Sequence, residues 1–284
     1  MDQLVSKRIG CSVGILARNS AATLEQALES LSRFDDIIVC DGGSTDSTRR
    51  IARQHHARIL EQDPAYLDSS GRIIDYAGVR NQTLDAAAHP WFLFIDSDEY
   101  LSEELVSAID EAVAADARGA YFVYREYELD GERITCASTY PTKNMRFFHM
   151  DSVSRFIKPI HERIDVREDA SVRDLPRTAP LIVPIRDTPA ESRQKNRRYI
   201  ELELGRIELL SAREWARRAF RRFLISGKLL LKMLKGLFFC KGTPLPVSHE
   251  MNRHWYHLAL TYREFLLLFR HSTQERKGSN ARNR

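Results

Sequence analysis

Asp96, Ser97 and Asp98 follow the apolar run Trp91-Phe92-Leu93-Phe94-Ile95, and two carboxylates at that spacing can divide their work. In extended chain they share a face; where the chain leaves a strand they splay, so one can meet a ribose hydroxyl while the other meets a divalent cation. Mg²⁺ or Mn²⁺ suits such a pair, because a hard ion takes oxygen ligands, keeps some waters and bridges diphosphate oxygens. A second acidic turn, Asp41-Gly42-Gly43-Ser44-Thr45-Asp46, follows the run Ile37-Ile38-Val39-Cys40. Asp41 is placed to accept hydrogen bonds from a nucleobase or ribose, and the glycines let backbone approach closely. Either motif alone reads more plainly as a turn with a helix cap, or as a solvated loop. Their order, each at the end of an apolar run, favours one nucleotide site.

Group transfer at such a nucleotide site would need a base for an acceptor hydroxyl and positive charge for a leaving diphosphate. His161-Glu162 is the best local source of a base, with Arg163 beside it to hold Glu162 ionised. Two other roles compete: His161 as a metal ligand, since imidazole suits Mn²⁺ better than Mg²⁺, and Glu162 as a structural ion pair with Arg163 or Arg146. Asp187 and Asp130 are fallback bases. Arg80, Arg146 and Lys143 are the cations available to a diphosphate.

The elements that must position these residues follow from hydrophobic patterning. Ile9 to Leu16 reads as a buried strand and Ala21 to Leu31 as an amphipathic helix. Ile37 to Cys40 is a second strand, Ser44 to Ala57 a helix, Arg58 to Leu60 a third strand and Asp75 to Ala88 a third helix. Trp91 to Ile95 is the strongest buried strand, Leu101 to Ala115 a helix and Ala120 to Tyr127 a half-exposed strand. This alternation predicts an α/β fold with a mostly parallel sheet and crossover helices, in which ligands sit at the carboxyl ends of the strands. From 131 to 189 the strands are short and irregular. Beyond Pro189 the pattern is helical to about Lys241 and again from His249 to Phe269, and the polar stretch Ser272 to Arg284 is expected to fray.

Charge divides the 284 residues at the same place. Residues 1–190 hold 22 Lys/Arg against 31 Asp/Glu, whereas residues 191–284 hold 21 Lys/Arg against 8 Glu, within an overall net charge of +4. An acidic body with a basic appendage implies an anionic partner for the appendage. Phe220, Phe223, Leu224, Leu230, Leu231, Leu234, Leu237 and Phe238 mark one helical face, and Arg221, Lys228, Lys232 and Lys235 another. A helix so divided suits an anionic membrane interface, and its charges interrupt any transmembrane span. Packing on the catalytic body is the plainer alternative. A nucleic-acid-binding tail would not need the interleaved aliphatic residues, and would leave the acidic motifs without a role. Cys11, Cys40, Cys136 and Cys240 show neither zinc-site spacing nor a disulfide framework; Cys11 and Cys40 read as buried thiols of a reducing compartment. The N-terminus lacks a signal-peptide pattern, so a cytoplasmic location is expected.

Taken together, Ser12-Val13-Gly14-Ile15-Leu16-Ala17-Arg18-Asn19, Ile38 to Thr48, Arg80-Asn81 and Trp91 to Glu99 resemble, in order, the nucleotide-binding half of family 2 glycosyltransferases. Tyr140-Pro141, Met145-Arg146-Phe147-Phe148 and Ile160-His161-Glu162-Arg163 are similar to the branch that adds sugars to the lipopolysaccharide core. The resemblance implies a GT-A fold over residues 1–190, with about 9–115 binding the nucleotide sugar and about 116–190 the acceptor, followed by a basic helical extension over 191–284. It implies an inverting transfer, from a donor such as a UDP-hexose, to a lipid-linked saccharide. Polyprenyl phosphate is an alternative acceptor; no nucleic acid is expected. Ala17, Asn19, Asp41, Gly43, Arg80, Asp96, Ser97, Asp98 and Arg146 would line the donor site, with Asp98, Asp96 and His161 toward a metal and Glu162 as base. Thr142 stands where the branch usually has an acid, and Pro184-Ile185-Arg186-Asp187 where it tends to have a His.

Overall fold

The computed structural model describes residues 8–205, 207 and 210–282, with side chains to residue 268. The chain forms two compact units, one running to Glu128 and resuming over Pro141–Pro184, the other made of Leu129–Tyr140 and the residues from Ile185 on.

The first unit is built on strands β1 (Ile9–Ala17), β2 (Phe34–Asp41), β3 (Arg58–Glu61), β4 (Trp91–Asp96) and β5 (Tyr100–Leu101), with helices α1 (Leu24–Glu29), α2 (Thr48–Gln54), α3 (Tyr76–Asp85) and α4 (Glu103–Ala114). Strands β6 (Ala120–Leu129), β8 (Thr142–His149), β9 (Val153–Ile157), β10 (Arg163–Val166), β11 (Val172–Asp174) and β12 (Leu181–Pro184) complete it; β7 (Glu132–Arg133) belongs to the second unit. The sheet order is β3-β2-β1-β4-β8-β6-β12-β5, with β11 beside β6. β3, β2, β1 and β4 run parallel; β8 returns antiparallel between β4 and β6. This is a GT-A-like mixed α/β fold.

The continuous apolar runs of β1 and β4 fit their central place, since strands covered on both faces need no polar alternation. Val13, Ile15, Leu93 and Ile95 are buried with Leu24, Leu28 and Leu105 in one core. On the opposite face Phe92, Phe94, Phe148 and Phe156 form a second cluster, Phe94 and Phe156 meeting edge to face with centroids 4.9 Å apart.

Helix boundaries are set by caps. α2 starts at Thr48 rather than Ser44, because Ser44 Oγ is spent on Asp41 in the preceding turn and Asp46 accepts the Thr48 amide at 2.9 Å as the helix begins. α4 starts after Leu101, which pairs into β5, and Ser102 Oγ accepts the Leu105 amide at 3.1 Å. Glu103 and Glu104 in that first turn complement the helix dipole.

In the second unit, α5 (Pro189–Leu204) opens with a capping box between Thr188 and Glu191. α6 (Ala212–Phe239) and α7 (Val247–Arg282) follow. Ile200, Leu204 and Leu260 join α5 to α7, while the Trp215 indole donates to the Thr261 carbonyl at 3.1 Å and Arg222 clamps the buried Glu264 carboxylate. Two expectations are corrected. α7 continues through the polar stretch after Ser272, since main-chain helix bonds need no apolar residue. Cys136 and Cys240 form a disulfide across 104 residues, a pairing that local cysteine spacing cannot announce. Backbone bonds from Thr135 to Thr243 at 3.0 Å and from Leu245 to Cys136 at 2.8 Å bring those segments together.

Candidate functional site

Strand register places the chemistry. Ala17 lies opposite Asp41 on β2, and Leu16 lies opposite Asp96 on β4. From β1 the sheet order proceeds one way to β2 and β3 and the other way to β4, so the β1/β4 boundary is a topological switch point, where loops part and leave a crevice. Asp96 ends β4 at that point.

Three loops are laced into one rim there. The Asn19 amide, in left-handed backbone with φ 50°, donates to Ser44 Oγ at 2.8 Å, and its side-chain oxygen accepts the Thr45 amide at 2.8 Å. Ser97 and Ser20 hydroxyls are 2.9 Å apart, tying the loop after β4 to the loop after β1. Gly42 donates to the Ala17 carbonyl at 2.9 Å, and Gly43 takes φ 74°, which a residue without Cβ adopts freely. Ala17, Asn19, Gly43 and Ser97 are thus gathered at one rim. Asp41 is fully buried, with Ser44 Oγ and N on its two oxygens and Arg49 3.5 Å away, so what it holds is the loop after β2.

Behind the rim runs a ladder of alternating charge. Arg125 on β6 donates to Glu99 at 2.7 Å, and Glu99 accepts Arg146 of β8 at 3.2 Å. Arg146 also reaches Asp96 at 3.3 Å, Asp96 accepts Arg80 of α3, and Arg80 Nε lies 3.6 Å from Glu162 Oε1. The Phe94 ring lies under both guanidinium groups, 4.9 Å from Arg80 and 4.8 Å from Arg146, a cation–π arrangement. Glu99 is 1% exposed and its second oxygen accepts the Asp96 amide at 3.0 Å, which fixes the turn leaving β4.

Asp96 is ringed by protein yet keeps 45% of its side-chain surface open, as on the floor of a crevice. Burial raises its pKa, but the charges of Arg146, Arg80 and Arg125 outweigh that and hold the carboxyl well below the usual range. Burial opposes the charge on Arg146, and Glu99, Asp96 and Glu162 overcome it, so this guanidinium stays charged.

Asp98 is exposed beyond this ladder, and His161 is exposed in left-handed backbone with φ 54°. Among the described residues no group of three or more His, Cys, Asp or Glu side chains is arranged to hold a metal ion. Glu162 lies 3.6 Å from Arg80, a pairing the sequence did not offer, and its charge also acts on Arg146, one of the two alternative partners. Arg163 opens β10 with an exposed side chain, and successive residues of extended chain point to opposite sides. Lys143 is engaged by Asp174 at 2.6 Å. Asp130 and Asp187 fall in the second unit, Asp187 paired with Lys195 at 2.6 Å. Sequence reasoning missed Glu99 and Arg125 as site residues; the adjacency of Glu99 to Asp98 was the available signal.

Residues 12–165, more than half of the chain, match the family model described as Glycosyl transferase family 2. An uncharacterized glycosyltransferase of Rickettsia bellii is 31% identical over 126 residues, covering 44% of this chain and 39% of the relative. The lipopolysaccharide core biosynthesis glycosyltransferase LpsC of Rhizobium meliloti is 29% identical over 147 residues, covering 49% of this chain and 50% of LpsC. The chain thus spans half or less of the length of these relatives. Among solved structures, Staphylococcus aureus TarS residues 1–349 in complex with UDP-GlcNAc superposes with a TM-score of 0.44 at 17% identity, over 81% of this chain and 73% of that one. Glucosyl-3-phosphoglycerate synthase of Mycobacterium tuberculosis, with Mn²⁺, UDP and glucosyl-3-phosphoglycerate, does so at 0.31 and 25% identity, over 43% and 44%. The family match runs from within β1 to within β10, the stretch that carries the switch point and its charge ladder, and the chain belongs to glycosyl transferase family 2.

Proposed function

We propose that this protein transfers a sugar, with inversion, from a nucleotide-diphosphate donor such as a UDP-hexose to a lipid-linked saccharide of the lipopolysaccharide-core kind. One observation carries the donor half: an exposed carboxylate, Asp98, stands just past the β1/β4 switch point beside a loop rim stiffened by Asp41, Asn19 and Ser97. The likeness to LpsC supports the acceptor.

The residues present fit a divalent cation that takes most of its ligands from the substrate. Asp96 is committed to Arg80 and Arg146, so Asp98 would be the protein's main ligand, with His161 as an added one, and Mg²⁺ commonly uses only one or two carboxylates beside phosphate oxygens. Bound there, Mg²⁺ or Mn²⁺ would neutralise the leaving diphosphate. Arg80 and Arg146 hold Asp96 at the crevice floor, within reach of a ribose hydroxyl. Glu162 turns Oε1 to Arg80, which leaves Oε2 to take the proton as the acceptor oxygen attacks the anomeric carbon and the bond to the diphosphate breaks.

The acceptor's lipid gives α6 a role. Its apolar residues are exposed, Phe223 at 74% and Phe238 at 78%, and Arg213, Arg217, Arg221, Lys228, Lys232 and Lys235 recur beside them at helical spacing. No helix among the described residues is long and apolar enough to cross a membrane. We therefore place α6 in an anionic lipid interface, on the cytoplasmic face of the cytoplasmic membrane. The buried thiols of Cys11 and Cys40 accord with that compartment, whereas the Cys136–Cys240 bridge needs shelter from its reductants.

The full chain, incubated with a panel of nucleotide sugars and Mn²⁺ or Mg²⁺, should release a nucleoside diphosphate from at least one. Failure to bind or cleave every member would overturn the donor assignment.

A further inference from the structure

We infer that Glu99 sets the charge of the donor site so that a nucleoside diphosphate binds only together with a divalent cation. The inference rests on the proposed donor reading.

Three guanidinium groups, from α3, β6 and β8, converge behind the β4 carboxyl end. Arginines gathered at a crevice floor ordinarily make an anion trap, because each offers a planar fork to phosphate. Here each is taken. Arg125 is held by Glu99, Arg146 by Glu99 and Asp96, and Arg80 by Asp96 and Glu162. Three cations face three carboxylates, so the ladder presents no net positive charge to a ligand. A diphosphate arriving alone therefore meets no net counter-charge in the ladder, and a divalent cation has to bring it. Glu99 is the member that neutralises two arginines at once, and its second oxygen is spent on the Asp96 amide. It has no surface through which to touch a substrate, so it acts through Arg125 and Arg146 as a positioning residue. Such a balance also favours release: a free nucleoside diphosphate product is not clamped once the cation departs.

The balance can be tipped either way. Glu99→Gln keeps the shape and one acceptor while freeing a positive charge; Arg125→Gln removes a positive charge from the same contact. Thermal unfolding of the full chain, with UDP as the probe and Mn²⁺ titrated, reads the result. The wild type should shift only with UDP and Mn²⁺ together. Glu99→Gln should shift with UDP alone and need about tenfold less Mn²⁺ for the half-maximal UDP effect, and Arg125→Gln about tenfold more. Changes of the same direction in both variants, or no change in either, would overturn the inference. Should Glu99→Gln fail to fold, an unaltered Mn²⁺ requirement in Arg125→Gln alone overturns it. A wild type that binds UDP without metal defeats the charge-setting role yet leaves sugar transfer standing, whereas no UDP binding under either condition defeats the donor reading itself.

Discussion

Arg146 Nη2 lies 3.3 Å from Asp96 and thereby joins the end of β4 to the returning strand β8. The contact follows from register: Leu93 pairs with Phe147 in antiparallel strands, so the preceding residue of β8, Arg146, falls level with Phe94, and its guanidinium crosses that ring to reach Asp96. Arg146→Ala would leave Asp96 and the buried Glu99 short of a counter-charge. Removing one partner from a buried charged network costs about 3–5 kcal/mol, and urea unfolding should show a loss of that order. Arg146→Lys keeps the charge but not the fork that spans two carboxylates, so it should recover only part. A loss below about 1 kcal/mol for the alanine variant would show that the ladder is not a structural unit.

The two aspartates of Asp96-Ser97-Asp98 should separate on substitution. Asp98 is exposed, and surface contacts of a carboxylate are worth about 1 kcal/mol or less, so Asp98→Ala should fold with little change in stability. It should also lose the rise in melting temperature that Mn²⁺ and UDP produce together. Asp96→Ala removes the partner of two buried arginines and should lower stability before any ligand is added. An intact Mn²⁺–UDP shift in Asp98→Ala would remove Asp98 from the metal site.

Much of the candidate site was legible because its residues sit at the ends of apolar runs, where hydrophobic patterning marks the strand and the loop after it together. Asp41 and Asp96 are found that way, and so is the crevice between them. Glu99 and Arg125 are not, since their meaning depends on β8 inserting antiparallel between β4 and β6, a pairing of distant segments. Arg80 was missed as a partner of Glu162 for the same reason: Arg163 is adjacent in sequence, but Arg80 of α3 is adjacent in space. Cys136 and Cys240 meet across 104 residues with nothing local to mark the pairing.

Acid should weaken the first unit through Asp36. This buried carboxylate accepts Ser12 Oγ at 2.6 Å, Arg58 Nε at 2.8 Å and the Ala88 amide at 3.0 Å, tying β1, β2, β3 and the segment between α3 and β4 together. Burial raises its pKa, but the bonds from Arg58, Ser12 and Ala88 outweigh it and lower the folded value below the ordinary 3.8. A depressed folded pKa gives stability that is fully present above the unfolded value and lost as pH falls through the folded one. Asp36→Asn should therefore cost about 2–3 kcal/mol near neutral pH, by loss of charge-assisted hydrogen bonds, and the gap from wild type should narrow below about pH 4. Urea unfolding at pH 7 and pH 3 measures both; a gap that is constant or wider at pH 3 would contradict the assignment.

Vesicle binding should depend on both strips of α6. The protein should sediment with vesicles containing anionic phospholipid at low salt, remain free with neutral vesicles, and be released as salt screens the basic row. Lys228, Lys232 and Lys235 lie at spacings of four and three on one side of the helix, all exposed. Each lysine near such a surface contributes about 1 kcal/mol, so replacing the three with Gln should lower partitioning about a hundredfold. Phe223→Ser with Leu231→Ser and Phe238→Ser changes side chains that are exposed, which should spare the fold while removing the binding that survives in salt. Equal binding to neutral and anionic vesicles would reject the basic row. Binding that both triple variants retain would move the lipid contact off α6 altogether.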